Sequence, residues 1–157
     1  MENSITIENG RIMFRNFAGA PTKFNSKGGV RDFAVCLSAD MAEQLAADGW
    51  NIKQLQSRDE EEEPLNFMKV KVSFTGNYPP NIYMIAGKKK QLLTEDTVSL
   101  LDVAEIQNVD MVIRPYRYDV NGKQGVSAYL KSMYVTLVVD ELAAKYEEDD
   151  ITEMPFN

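Results

Sequence analysis

The chain has 157 residues, 44% of them apolar and 26% charged, with 17 Lys plus Arg against 24 Asp plus Glu, no His and one Cys. That composition fits one globular domain with a sizeable core, and it excludes imidazole catalysis, histidine metal sites, an internal disulfide and a cysteine-rich zinc site. No stretch reaches the roughly 18 apolar residues of a membrane span, and Met1, Glu2, Asn3 and Ser4 form no basic leader, so a soluble protein of a reducing cytoplasm is expected.

Taken in order, residues 4–8 and 11–17 alternate around Asn9-Gly10, a dipeptide suited to a tight hairpin. Residues 18–29 hold three Gly, one Pro and two Lys and are expected to form a mobile loop. Residues 30–37 predict a strand with Arg31, Phe33, Val35 and Leu37 on one face; Cys36 reads as a buried hydrophobe. Ser38 or Asp40 caps a helix over 41–48, and Gly49 stops it. An apolar residue just past a glycine stop packs back on the last turn, so Trp50 is expected in the core rather than against a nucleobase. Residues 65–74 form a strongly alternating strand, 75–81 a turn with Gly76, Pro79 and Pro80, and 82–86 a short strand ended by Gly87 and Lys88, Lys89 and Lys90. Residues 94–101 predict a helix capped by Thr94. Long strands over 109–120 and 126–139 flank Asn121-Gly122, a second hairpin, and Asp140 caps a last helix over 141–146. The chain is therefore mainly β, with short helical inserts. A Greek-key barrel of the oligonucleotide-binding (OB) type suits this order, and a sandwich fits almost as well.

The charge is uneven. All 17 basic residues lie between Arg11 and Lys145, while ten acids form the run 59–63 and the end of the chain, at Glu147, Glu148, Asp149, Asp150 and Glu153. Without those ten, 14 acids face 17 bases, a body of about +3. Runs of like charge are solvated, so the acidic average conceals a basic body. Residues 1–146 are expected to be the folded domain and 147–157 a disordered acidic tail.

Strand parity separates core from surface. Met68, Val70, Val72 and Phe74 form an apolar face, which leaves Phe67, Lys69, Lys71 and Ser73 outside. Val109, Met111, Ile113 and Pro115 likewise leave Arg114, Tyr116 and Tyr118 outside, with Val112 among them. Ile12 and Phe14 are expected inside, with Arg11, Met13, Arg15 and Phe17 outside. Cations interleaved with rings on three strands suit single-stranded nucleic acid, since cations neutralise phosphates and rings stack on unpaired bases. Phosphate contacts are expected from Arg11, Arg15, Lys69, Lys71, Arg114, Lys123 and Lys131, and stacking from Phe17, Phe67, Tyr116 and Tyr118. Lysines and tyrosines also cover the solvated face of any sheet, which is the plain alternative. Tyr134 is left unassigned because one bulge inverts its parity.

The tail joins acids to an apolar tip. It reads either as a solvated end or as a peptide that docks Ile151 and Phe156 into partner pockets and competes with nucleic acid for the basic face. Asp149, Asp150 and Ile151 followed by Met154, Pro155 and Phe156 resemble the acidic tip of bacterial single-stranded DNA-binding proteins, with Thr152, Glu153 and Met154 inserted and Asn157 after Phe156. The body, from the Asn-Gly dipeptide through Arg11 to Phe17, Asp48 to Lys53, Val112 to Tyr116, Asn121 to Lys123 and Ala128 to Ser132, resembles bacteriophage single-stranded DNA-binding proteins with an OB fold. The resemblance implies coating of single-stranded DNA in phage replication, recombination or repair, in the host cytoplasm. It also implies recruitment of replication or recombination proteins through Asp149, Asp150, Ile151, Pro155 and Phe156, without a cofactor, a metal or catalysis.

Two other classes are weighed. A virion structural or assembly β-domain uses such faces for protein contacts and has no DNA affinity. A carboxylate–metal nuclease needs oxygen ligands, for which Asp102, Glu105 and Asp110 are candidates, although acids beside Asn108 more often cap turns. Homodimerisation through a free strand edge is a further expectation.

Overall fold

The structure, a computed structural model, describes residues 4–23, 26–56 and 63–139. The helix expected over 141–146, the tail 147–157 and most of the acidic run 59–63 lie outside these residues. The described chain forms strands β1 (Ile5–Gly10), β2 (Ile12–Asn16), β3 (Asp32–Leu37), β4 (Ile52–Leu55), β5 (Leu65–Lys71), β6 (Asn81–Ala86), β7 (Lys89–Leu93), β8 (Ile106–Val120) and β9 (Lys123–Leu137). One helix, α1 (Ala39–Ala47), and a 3₁₀ turn at Val98–Asp102 complete it.

The main ladder runs β1-β8-β9-β5-β3-β2. Its pairs are antiparallel except β5 with β9. The two ends of this path, β1 and β2, are consecutive in the chain, with only Arg11 between them. They do not pair with each other, so the sheet is not closed by hydrogen bonds, and the covalent chain carries it from one edge to the other. Counted as one bent strand, β1–β2 joins β3, β5, β8 and β9 in the partly open Greek-key barrel of the OB type. The hairpin expected at Asn9-Gly10 is thereby corrected. Asn9 does adopt a positive φ of 54°, but the register slips between Ile7 and Gly10, and its N–H bonds Asp110 Oδ1 at 2.9 Å. The dipeptide makes a bend that hands the chain from β8 to β3.

Alternation fills the interior. Phe33 and Val35, Met68 and Val70, Met111 and Ile113, and Leu130 and Met133 are all buried. On β9 the spacing changes: Val126, Ala128 and Leu130 are buried at even numbers, Met133 and Val135 at odd ones. The ladder explains it, since Val112 pairs with Ser132 and Ile113 with Leu130, which leaves Lys131 as an extra residue in a bulge. Tyr134 is thereby turned outward. Pro115 pairs with Ala128 but lies beyond Ile113, where the pairing with β1 begins, so its missing N–H interrupts no second ladder.

Helix α1 has the expected caps. Ser38 Oγ accepts from Met41 N at 3.2 Å. Gly49, at φ 95°, lets its own N–H reach Ala46 O and that of Trp50 reach Leu45 O, which satisfies the last carbonyls. Trp50 is buried and bridges Val126, as expected for core packing. The second hairpin is also present, with Asn121 and Gly122 at φ 52° and 82° between Val120 and Lys123.

Two short strands carry no alternation and escape sequence reading: β4, which pairs with β5, and β7, which pairs with β6. The helix expected over 94–101 is a turn followed by the 3₁₀ segment. Arg15 Nη1 donates to Leu101 O and Ala104 O, both at 2.8 Å, and so terminates it. The loop 18–29 is tied at its base by Gly29 N to Gly19 O at 2.7 Å and by the Asn16 side chain bonding both N and O of Ala20.

Candidate nucleic-acid interface

Residues opposite each other in a ladder share a face. Lys71 pairs with Tyr129 and Tyr129 with Arg114, so β5, β9 and β8 present these three side chains together. The contacts follow the register. The Lys71 ammonium lies 5.7 Å from the centroid of Tyr129, and the Arg114 guanidinium lies 5.1 Å from it and 5.8 Å from that of Tyr78. Tyr116 meets Tyr129 edge-on at 5.8 Å and is 54% exposed. Such ring–cation pairs contribute about 0.5–1 kcal/mol at exposed sites. Here they also hold the cations at fixed positions beside the rings.

Along β5 the face continues through Lys69 to Phe67, whose ring meets Phe14 edge-on at 5.7 Å. Lys53 on β4 lies opposite Phe67. Lys69 is half-exposed and 3.7 Å from Asp32; the other ion pair among the described residues joins Arg31 to Glu95. Lys71, Arg114 and Lys131 thus have no carboxylate partner among the described residues, and Arg114 Nε has no hydrogen-bond partner there. Beyond Arg114 the surface deepens into a groove of about 630 Å³ lined by Tyr78, Asn77, Asn81 and Lys131. Lys123 is exposed beside the β8–β9 turn. Cations without acids, set between rings along three neighbouring strands, make a surface that attracts phosphate and leaves flat apolar faces for bases.

The expected site residues separate accordingly. Phe67, Lys69, Lys71, Arg114, Tyr116 and Lys131 fall on or beside this face. Tyr118 is half-buried; its ring lies against Gly125 and its hydroxyl meets Asn51 Oδ1 at 3.2 Å, so it pins the β8–β9 hairpin to the loop after α1. Phe17 is a correction. It has no exposed surface and stacks on Phe33 at 5.3 Å with 22° between the ring planes, inside the core. The cause is Phe14, which adopts φ 52° as the β2–β3 register slips between Met13 and Asn16 and reverses the expected parity. Phe14 is 59% exposed instead. Arg15 is a second correction, because its guanidinium serves the carbonyls of Leu101 and Ala104. Arg11 is exposed but lines a different groove, with Arg15, Val103 and Asn108. Tyr129, at the centre of the face, was missed. The buried Val126, Ala128 and Leu130 around it give the parity signal that places it outside.

Two of the three carboxylates weighed as metal ligands, Asp102 and Asp110, have structural partners. Asp102 accepts from Phe17 N at 2.7 Å and Ala18 N at 3.0 Å, and Asp110 accepts from Asn9 N and Asn108 Nδ2. Among the described residues no group of three or more candidate ligands forms, and no helix is long and apolar enough to cross a membrane. Cys36 is partly buried; burial pushes its thiol pKa up, and the nearby Arg11 charge offsets this in part.

A protein family described as "Putative phage ssDNA-binding domain" matches residues 1–155. The fold is similar to that of the single-stranded DNA-binding protein from bacteriophage Enc34. Its complex with single-stranded DNA aligns at 12% identity and TM-score 0.55, over 87% of this chain and 88% of that one. A C-terminal truncation of the same protein aligns at 12% identity and TM-score 0.54, over 87% of both chains. No curated protein matches the sequence.

Proposed function

Because the chain belongs to the phage single-stranded DNA-binding domain family, we propose that it binds and coats unpaired DNA largely without sequence preference, through the outer face of β5, β9 and β8. One observation carries this reading: Tyr129 is bracketed by Lys71, Arg114 and Tyr116, and these cations have no carboxylate partner among the described residues. Phosphates meet Lys69, Lys71, Arg114 and Lys131, while bases stack on Tyr116, Tyr129 and Phe67. Ring stacking favours single strands because duplex bases are already stacked, and it tolerates any sequence because every base offers a flat face.

The role is binding rather than catalysis. Asp102 and Asp110 hold backbone N–H groups, which fits structural duty. In the cytoplasm of an infected host, such a protein would protect single strands during phage DNA replication, recombination or repair. Residues 147–157 would engage replication or recombination proteins through Asp149, Asp150, Ile151, Pro155 and Phe156, and compete with DNA for the basic face. Pairing of two copies along a free strand edge is the accompanying expectation for assembly.

The test is titration of the full chain with oligothymidylate and with a duplex of equal length, followed by anisotropy of the labelled DNA. The single strand is expected to bind more tightly than the duplex. Absence of affinity for either, together with a defined oligomer of the pure chain, would favour the virion structural alternative instead.

A further inference from the structure

Tyr134 and Tyr83 lie opposite each other in the β6–β9 ladder, with rings stacked at 5.0 Å and 13° between planes. Lys90, on the returning strand β7, sets its ammonium 4.9 Å from the Tyr83 centroid and 5.9 Å from that of Tyr134. No ion pair to Lys90 forms among the described residues. Across the ladder from Tyr134, Asp110 has its carboxylate bonded to Asn9 N and Asn108 Nδ2. Tyr134 keeps 39% of its surface exposed.

This pair repeats the chemistry of the Tyr129 cluster on the same strand. Tyr134 lies five positions after Tyr129, roughly 16 Å at strand rise. The bulge at Lys131 turns Tyr134 to the outer side of β9 and places a cation between the two ring clusters. The groove beside Lys131 leads from Arg114 past Asn81, which pairs with Ser132 at the start of β6. We propose that Tyr83, Tyr134 and Lys90 form a second stacking platform for single-stranded nucleic acid, reached by a strand that already occupies the Tyr129 face and passes over Lys131. The inference rests on the proposed function and adds to it a direction and a length. Short oligonucleotides end at the first cluster, and longer ones reach the second.

The experiment compares wild type, Tyr134→Ala and Lys90→Gln on oligothymidylates of about 4 and about 20 nucleotides, the shorter probe being too short, at about 3.4 Å per nucleotide, to bridge the two ring clusters. On the short probe all three are expected to bind alike. On the long probe Tyr134→Ala is expected to bind about 5- to 150-fold more weakly, the fold-change of one lost stack. Lys90→Gln, which leaves the ring pair intact, is expected to flatten the salt slope on the long probe by about 0.7. Equal affinities of wild type and both variants on the long probe would overturn the proposal, as would equal weakening on both probes, the mark of a packing defect. A wild-type chain that binds neither probe would instead reject the underlying DNA-binding reading, and this proposal with it.

Discussion

Replacing Tyr129 by Ala should weaken single-strand binding more than replacing Tyr116 by Ala, although Tyr116 is the more exposed ring. Tyr116 makes one ring contact, so its loss removes one stack, about 1–3 kcal/mol. Tyr129 touches Tyr116 and carries both Lys71 and Arg114 over its ring. Its loss removes a stack and also two ring–cation contacts, each about 0.5–1 kcal/mol, that hold the phosphate-binding groups in place. The expected cost is therefore about 2–5 kcal/mol, or roughly 30- to 4000-fold in Kd. Tyr129→Phe keeps the ring and should stay within a few-fold of wild type. Anisotropy titrations with labelled oligothymidylate at fixed salt give the ranking, and thermal melts verify that each variant is folded. Tyr129→Ala binding as tightly as Tyr116→Ala would refute the central position assigned to this ring.

Affinity should also fall steeply with salt. If Lys69, Lys71, Arg114 and Lys131 each neutralise one phosphate, the slope of log K against log salt is about −3, roughly 50-fold between 50 and 200 mM; a flat isotherm would remove the phosphate contacts. Phe17→Ala should cost about 3–5 kcal/mol of stability in denaturant melts, since Phe17 is enclosed and stacked on Phe33; a change in DNA affinity at unchanged stability would return Phe17 to the surface. Deletion of residues 147–157 should tighten binding at low salt, as measured by the same titrations, and unchanged affinity would reject competition by the tail. Cys36 should alkylate slowly near neutral pH. Its raised pKa favours the neutral thiol in the fold, so the stability this gives is lost as pH rises through the thiol range; rapid alkylation at neutral pH would contradict that.

Parity was legible wherever strands are regular. The inner sets on β5 and β8 follow strict alternation, and the outward Lys69, Lys71, Arg114 and Tyr116 come from the same rule. Parity failed at two irregularities. The positive φ of Phe14 exchanged the places of Phe14 and Phe17, and the bulge at Lys131 decided the side of Tyr134. Both are set by which strands meet across the barrel, and local residue types do not reveal that. The Asn9-Gly10 bend reads as a hairpin for the same reason: its flanking strands alternate, but their partners are β8 and β3. Arg15 was beyond sequence reading because its carbonyl partners lie 86 and 89 residues away. β4 and β7 lack an apolar period because neither buries a face: of their residues only Leu93 is buried.

Ultraviolet cross-linking of the full chain to a halogenated oligodeoxyuridylate, with peptides mapped by mass spectrometry, tests the assignment of the face most directly. Cross-links at Phe67, Tyr116 and Tyr129 are expected. Cross-links confined to α1 or to the groove beside Arg11 and Val103 would show that DNA runs over another side of the barrel.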